Sequence, residues 1–135
     1  MVINLKVIAP VFLLLFSACS HSKCDNFLVG ENGFYWDVVQ DGKHQFSSPR
    51  YSYFFGKNGH CVYYAYMKYP GGPIKRVAFD YGDVIYPNTW LLRNDTLELQ
   101  GFKNKIISLS QDKVILSEVN DSKDTIILIK SNFKE

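Results

Sequence analysis

The chain of 135 residues contains only three cysteines and three histidines. None of them stands at metal-binding spacing: there is no Cys-x-x-Cys and no pair of histidines one helical turn apart. A Gly-x-Ser-x-Gly elbow, a phosphate-cradling P-loop and a dinucleotide fingerprint are all missing as well, so no catalytic motif or phosphate site is written in the chain. Charge of one sign is also scarce. Fifteen Lys and Arg stand against 13 Asp and Glu, a formal net charge of +2, and no block of like charge occurs. That balance excludes a polyelectrolyte partner such as nucleic acid. Beyond residue 18, no apolar period of 3.6 residues persists over three turns, which excludes a substantial helix in the rest of the chain.

Long apolar runs are absent too. Residues 7–16 form the longest, interrupted by Pro10, and this is about half of the ~20 residues that a membrane-spanning helix needs. Lys6 and the amino terminus precede the run, and Ser17-Ala18-Cys19 follows it. A positive flank, a short apolar core and small residues form the pattern of a secretory signal peptide. The junction Leu14-Leu15-Phe16-Ser17-Ala18-Cys19 resembles the lipobox of bacterial lipoproteins, with Phe16 where leucine is usual. The resemblance implies a signal peptide over residues 1–18, lipidation of Cys19 and attachment through acyl chains such as palmitate. Two or three acyl chains hold a protein stably where one does not. Ser20, in place of an aspartate, points to the outer membrane of a bacterial cell envelope. An ordinary cleaved leader that leaves Cys19 free is the competing reading.

With Cys19 lipidated, Cys24 and Cys61 remain as an even pair in an oxidising compartment. A Cys24–Cys61 disulfide would pin the start of the domain to a strand. The alternative is a tether cysteine and a buried thiol. Residues 19–30 are polar and short and read as a lipidated tether, leaving residues 31–135 as one domain with one core.

That domain reads as a series of short alternating runs separated by turn residues. Strand patterns cover residues 33–40, 50–55, 60–68, 74–81, 89–93, 96–102, 105–109, 114–119 and 124–130. Asn58-Gly59 is a hairpin signal between the second and third runs. Each run lies next to its sequence neighbour, and no connection is long enough for a parallel crossover. The expected fold is all-β: a small antiparallel up-and-down β-barrel of about eight strands. A two-sheet β-sandwich is the alternative. Trp36 on the first strand, the aromatic pair of strands from Tyr51 to Tyr66 and the run from Thr89 to Leu99 resemble a lipocalin-like domain. The likeness continues through residues 106–110 and 114–116. Two residues separate Gly33 from Trp36, where true lipocalins have Gly-x-Trp.

What the chain has in abundance is aromatic side chains: ten Phe, nine Tyr and two Trp. Tyr51, Tyr53 and Phe55 share one strand face; on the next strand Val62, Tyr64 and Tyr66 oppose Cys61, Tyr63 and Ala65. Trp36, Tyr53, Tyr64 and Trp90 are the candidate ligand contacts, since aromatic faces with polar handles suit an amphiphile. The competing reading for all four is core packing. His60 and Cys61 are strand neighbours that point to opposite faces, a poor geometry for a dyad. No metal ligand set and no cofactor is expected.

The functional expectation is non-catalytic binding of a small apolar or amphipathic ligand, with the membrane engaged through the lipid anchor. The alternative is a protein-interaction module, an envelope accessory subunit or inhibitor with a solid barrel. Ala65 and Ala78 are the only alanines in the strand region, which favours a filled lumen. An exposed apolar patch including Tyr69 or Ile74, beside the loop 70–73, would favour the interaction module.

Overall fold

The computed structural model describes residues 27–119 and 124–134. Ten strands follow one another: β1 (Phe34–Asp41), β2 (His44–Gln45), β3 (Tyr51–Phe55), β4 (Cys61–Lys68), β5 (Ile74–Ala78), β6 (Trp90–Arg93), β7 (Thr96–Leu99), β8 (Phe102–Leu109), β9 (Lys113–Glu118) and β10 (Thr125–Lys130). All belong to one antiparallel sheet in the order β5-β4-β3-β1-β10-β9-β8-β7-β6, with the two-residue β2 hanging from β1. The architecture is therefore all-β and up-and-down, curled into a half-barrel, as the likeness to lipocalin-like domains implies. A continuous sheet takes the place of the sandwich alternative.

The strands form where β-branched and aromatic residues alternate with polar ones. Burial follows the same period of two. In β6, Trp90 and Leu92 are buried between exposed neighbours; in β9, Val114 and Leu116 face the core; in β10, Ile126 and Leu128 do. Together with Trp36, Val38, Phe55, Leu97, Leu99 and Ile106 they make one continuous core. The hairpin at Asn58-Gly59 is supplied by two positive φ angles, 60° and 74°, the twist that suits a tight β-hairpin.

Two features depart from the sequence reading. The run expected over residues 96–102 is broken: β7 ends at Leu99 and β8 begins at Phe102. Gln100 and Gly101 make the turn, with φ of 50° and 87°. Glutamine is not a usual residue for a left-handed position. It is held there because its backbone N–H donates to the Thr89 carbonyl at 2.8 Å and its side chain accepts from the Tyr81 hydroxyl at 2.7 Å. The second departure lies at the start of the domain. The sequence assigns residues 19–30 to a tether, yet Leu28 is 0% and Val29 4% exposed. Leu28 sits under Trp36, whose indole N–H donates to the Leu28 carbonyl at 2.9 Å. Residues 27–30 therefore belong to the domain and stopper one end of the curled sheet.

This correction is measurable. Truncating a fully buried leucine costs about 2–4 kcal/mol, whereas a change in a solvated tether stays within about 0.5 kcal/mol. Leu28→Ala is expected to lower the unfolding free energy in urea by the larger amount; a loss below about 0.5 kcal/mol would return residue 28 to the tether.

Candidate functional site: an aromatic arc at the barrel mouth

Register decides which tyrosines share a space. Counting outward from the Asn58-Gly59 hairpin, Phe55 pairs with Cys61, Tyr53 with Tyr63 and Tyr51 with Ala65. Across β1, Trp36 pairs with Tyr53 and Val38 with Tyr51. Partners on adjacent strands face the same way, so Tyr51, Tyr53 and Tyr63 stand on the core side with Trp36 and Phe55. The Tyr53 and Tyr63 rings stack, centroids 4.5 Å apart and 17° from parallel.

From Tyr63 the aromatic contacts leave the regular sheet and cross the segment between β5 and β6. Phe79 stacks on Tyr63 at 5.4 Å, Tyr81 lies 4.9 Å from Phe79, and Tyr86 meets Tyr81 edge-on at 4.7 Å. Phe102 at the start of β8 completes the series, 5.3 Å from Tyr86. Offset and edge-to-face pairs of this kind contribute about 0.5–1.5 kcal/mol each beyond burial. The series makes an arc from β3 to β8 at the end away from the Leu28 stopper. Its outer members stay accessible: Phe79 is 36% and Phe102 58% exposed.

Polar groups are few. Tyr81 is fixed by Gln100, which itself lies within 3.4 Å of Asn88. A bulge between Val38 and Gln40 inserts one residue into β1, so that Asp41 pairs with the buried Ile126 and turns to the core side. The Tyr63 hydroxyl is held well above the ordinary tyrosine range, first by burial and then by the Asp41 charge. Tyr53 is raised too, by burial and by Tyr63 beside it. Among the described residues neither the Tyr53 nor the Tyr63 hydroxyl has a hydrogen-bond partner. Both tyrosines are half-buried, which leaves their hydroxyls free to meet solvent or a bound molecule. The arrangement can present an apolar wall of tilted and edge-on rings, with two hydroxyls and one carboxylate, to a small molecule.

The four sequence candidates divide. Tyr53 is in the arc. Trp36 is 0% and Trp90 7% exposed, and both indole N–H groups are already used, on Leu28 and on the Gly56 carbonyl at 2.9 Å. The two tryptophans are packing residues. Tyr64 is on the opposite face: it pairs with Ser52 and Ala78 and its ring lies 5.8 Å from Tyr35. Tyr63, Phe79, Tyr81 and Tyr86 are functional candidates missing from the sequence set. The spacing from Asn58-Gly59 carries the signal for Tyr63, because a fixed hairpin register forces it opposite Tyr53.

Cys19 and Cys24 lie outside the described residues. Cys61 is 0% exposed, and burial pushes its thiol up to about 12. Among the described residues no group of three or more His, Cys, Asp or Glu side chains is placed to hold a metal. No protein-family model, no curated protein and no solved structure matches the chain.

The buried thiol and tyrosines set an alkaline limit. Their unfolded forms ionise first, so the unfolded chain binds fewer protons there and stability falls as pH rises. For Cys61 the stabilisation is complete below its ordinary value of 9.0 and is lost progressively toward about 12; Tyr53 and Tyr63 add losses of the same sign. Urea midpoints of the reduced protein, measured from pH 8 to 11, are expected to fall steadily above pH 9. A flat profile would contradict the burial of these groups.

Proposed function

We propose that the protein is a lipid-anchored lipoprotein of the bacterial cell envelope whose barrel binds a small apolar or amphipathic molecule without transforming it. The observation that carries this reading is the pair of stacked tyrosines, Tyr53 and Tyr63, with hydroxyls that no described side chain or backbone group satisfies. They stand at the head of an aromatic arc that opens outward through Phe79 and Phe102. Ligand sites have this composition: a mostly apolar wall and a few polar groups that set orientation. The ligand would lie along the arc, its polar end against the two hydroxyls. Asp41 near Tyr63 favours a hydrogen-bond donor there over an anion.

The membrane address rests on the lipobox-like junction at Cys19; Cys61 stands in the structure as a free, buried thiol, and a Cys24–Cys61 bridge is proposed for the oxidised protein. In that arrangement the acyl chains hold the domain at the outer membrane, and the stoppered end carries the chain toward the anchor. A second reading is favoured by one specific observation. Met67, Tyr69 and Ile74 are 44%, 47% and 44% exposed around the loop 70–73, the patch that suits an interaction module with a partner protein of the envelope.

N-phenyl-1-naphthylamine, a neutral fluorophore that brightens in apolar surroundings, tests the binding reading on the full chain. Saturable one-to-one binding is expected, weakened about tenfold or more by Tyr63→Ala, which removes a hydroxyl and the ring on which Tyr53 and Phe79 stack to build the arc. Met67→Ser in the exposed patch is expected to leave it unchanged. No saturable binding, or equal loss with both variants, would remove the mouth as the site.

A further inference from the structure

The outer face of the same sheet carries a groove that the mouth does not use. It is lined by β1, β4, β10, the start of β5, the segment 48–50 before β3 and the C-terminal segment, has a volume of about 650 Å³, and Asp37 forms part of its lining. Asp37 is only 7% exposed, an unusual place for a carboxylate, since burying a charge is costly unless it is satisfied. One of its oxygens accepts a hydrogen bond from the Tyr66 hydroxyl. Its other oxygen has no partner among the described residues.

The hydrogen bond from Tyr66 is tied in turn to Arg76. Arg76 donates from Nε to the Tyr66 oxygen at 3.3 Å, so Tyr66 links the guanidinium to Asp37. Arg76 is itself immobilised. Its guanidinium lies 3.7 Å from the centre of the Tyr35 ring and donates to Ser131 Oγ at 2.9 Å and to the Phe133 carbonyl at 3.2 Å. The C-terminal segment is thereby folded back onto the sheet, and Phe133 packs edge-on against Tyr66 at 5.0 Å. That fold-back makes one wall of the groove. Ile74 and Ile129 add apolar surface, and Arg50 and Lys68 bring exposed cations to it.

We infer that this groove is a second binding site, for a small zwitterion with an apolar body: a primary ammonium donating to Asp37, an anionic group at Arg50 or Lys68, and an apolar portion against Ile74, Ile129 and Phe133. The charge pattern selects this chemistry. A simple anion would meet the Asp37 carboxylate, and a simple cation would meet Arg50 and Lys68. A molecule carrying both charges satisfies each end. The volume falls within the ~300–1,000 Å³ of small-molecule sites. Short apolar peptides (ammonium and carboxylate) and aminophospholipids (ammonium and phosphate) both have this chemistry.

Calorimetric titration of the full chain with two soluble probes, the dipeptide Leu-Leu and dihexanoyl-phosphatidylethanolamine, tests the site and separates the sources. At least one is expected to bind one-to-one. Its amine-free counterpart, N-acetyl-Leu-Leu or dihexanoyl-phosphatidylglycerol, is expected to bind at least tenfold more weakly, because the charge-assisted bond to Asp37 is lost. Asp37→Asn is expected to abolish that preference. Arg50→Gln, at an exposed position that leaves the fold alone, is expected to weaken the preferred probe severalfold. Dipeptide binding alone assigns a peptide ligand, and lipid binding alone assigns a lipid. The proposal is overturned if neither probe binds, if the amine-free counterparts bind as tightly, or if folded Asp37→Asn retains the preference. Tyr63→Ala leaves this groove untouched, so failure here is distinguishable from failure at the mouth.

Discussion

A curled antiparallel sheet has two edges to dispose of, and the way this one does so governs the rest of the domain. Neighbours alternate in direction along the path of nine long strands, so the terminal strands β5 and β6 run the same way and cannot close the ring as an antiparallel pair. Instead β4 serves both. Its later residues hold β5, down to the bond from the Phe79 N–H to the Tyr63 carbonyl at 2.9 Å. Its beginning holds the approach to β6, through the His60–Thr89 bridge and the bond from the Cys61 N–H to the Asn88 carbonyl at 3.1 Å. β5 and β6 thus act as two pieces of one interrupted strand, which gives the curled sheet an effective count of eight.

The interruption has a consequence for chemistry. Between Phe79 and Asn88 the chain is released from the sheet, and Ile85 within it is 93% exposed. Phe79, Tyr81 and Tyr86 come from this released stretch and line up on the stacked pair Tyr53–Tyr63. An unbroken strand would place alternate residues of this stretch on the outer face. Released, all three reach the same arc. The opposite end has no such freedom, because Leu28, Trp36 and Phe55 fill it completely. One end of the half-barrel is solid and the other is built of rings with spare hydroxyls.

Local rules carry the strand series, the Asn58-Gly59 hairpin and the absence of a substantial helix among the described residues, since each depends on a few adjacent residues. Three things depend on distant partners and so escape such rules. Leu28 and Val29 lie in a run of three apolar residues, Phe27-Leu28-Val29, too short to show a period, and Leu28 is tied to the core by distant Trp36. Gln100 turns the chain because Thr89 and Tyr81 hold it, and neither is nearby in sequence. Tyr64 and Tyr63 are indistinguishable by composition, and a register shift of one residue exchanges their faces. The outer groove is less legible still, because its wall appears only when Ser131 and Phe133 fold back on Arg76.

The proposed binding of a small molecule at the aromatic mouth is tested most directly by native mass spectrometry of the protein purified gently from its own host. A co-purifying molecule of defined mass is expected, lost on denaturation and absent from Tyr63→Ala purified the same way. A clean apo mass for the unaltered protein would contradict the proposal and leave the exposed patch around Tyr69 and Ile74 as the working surface.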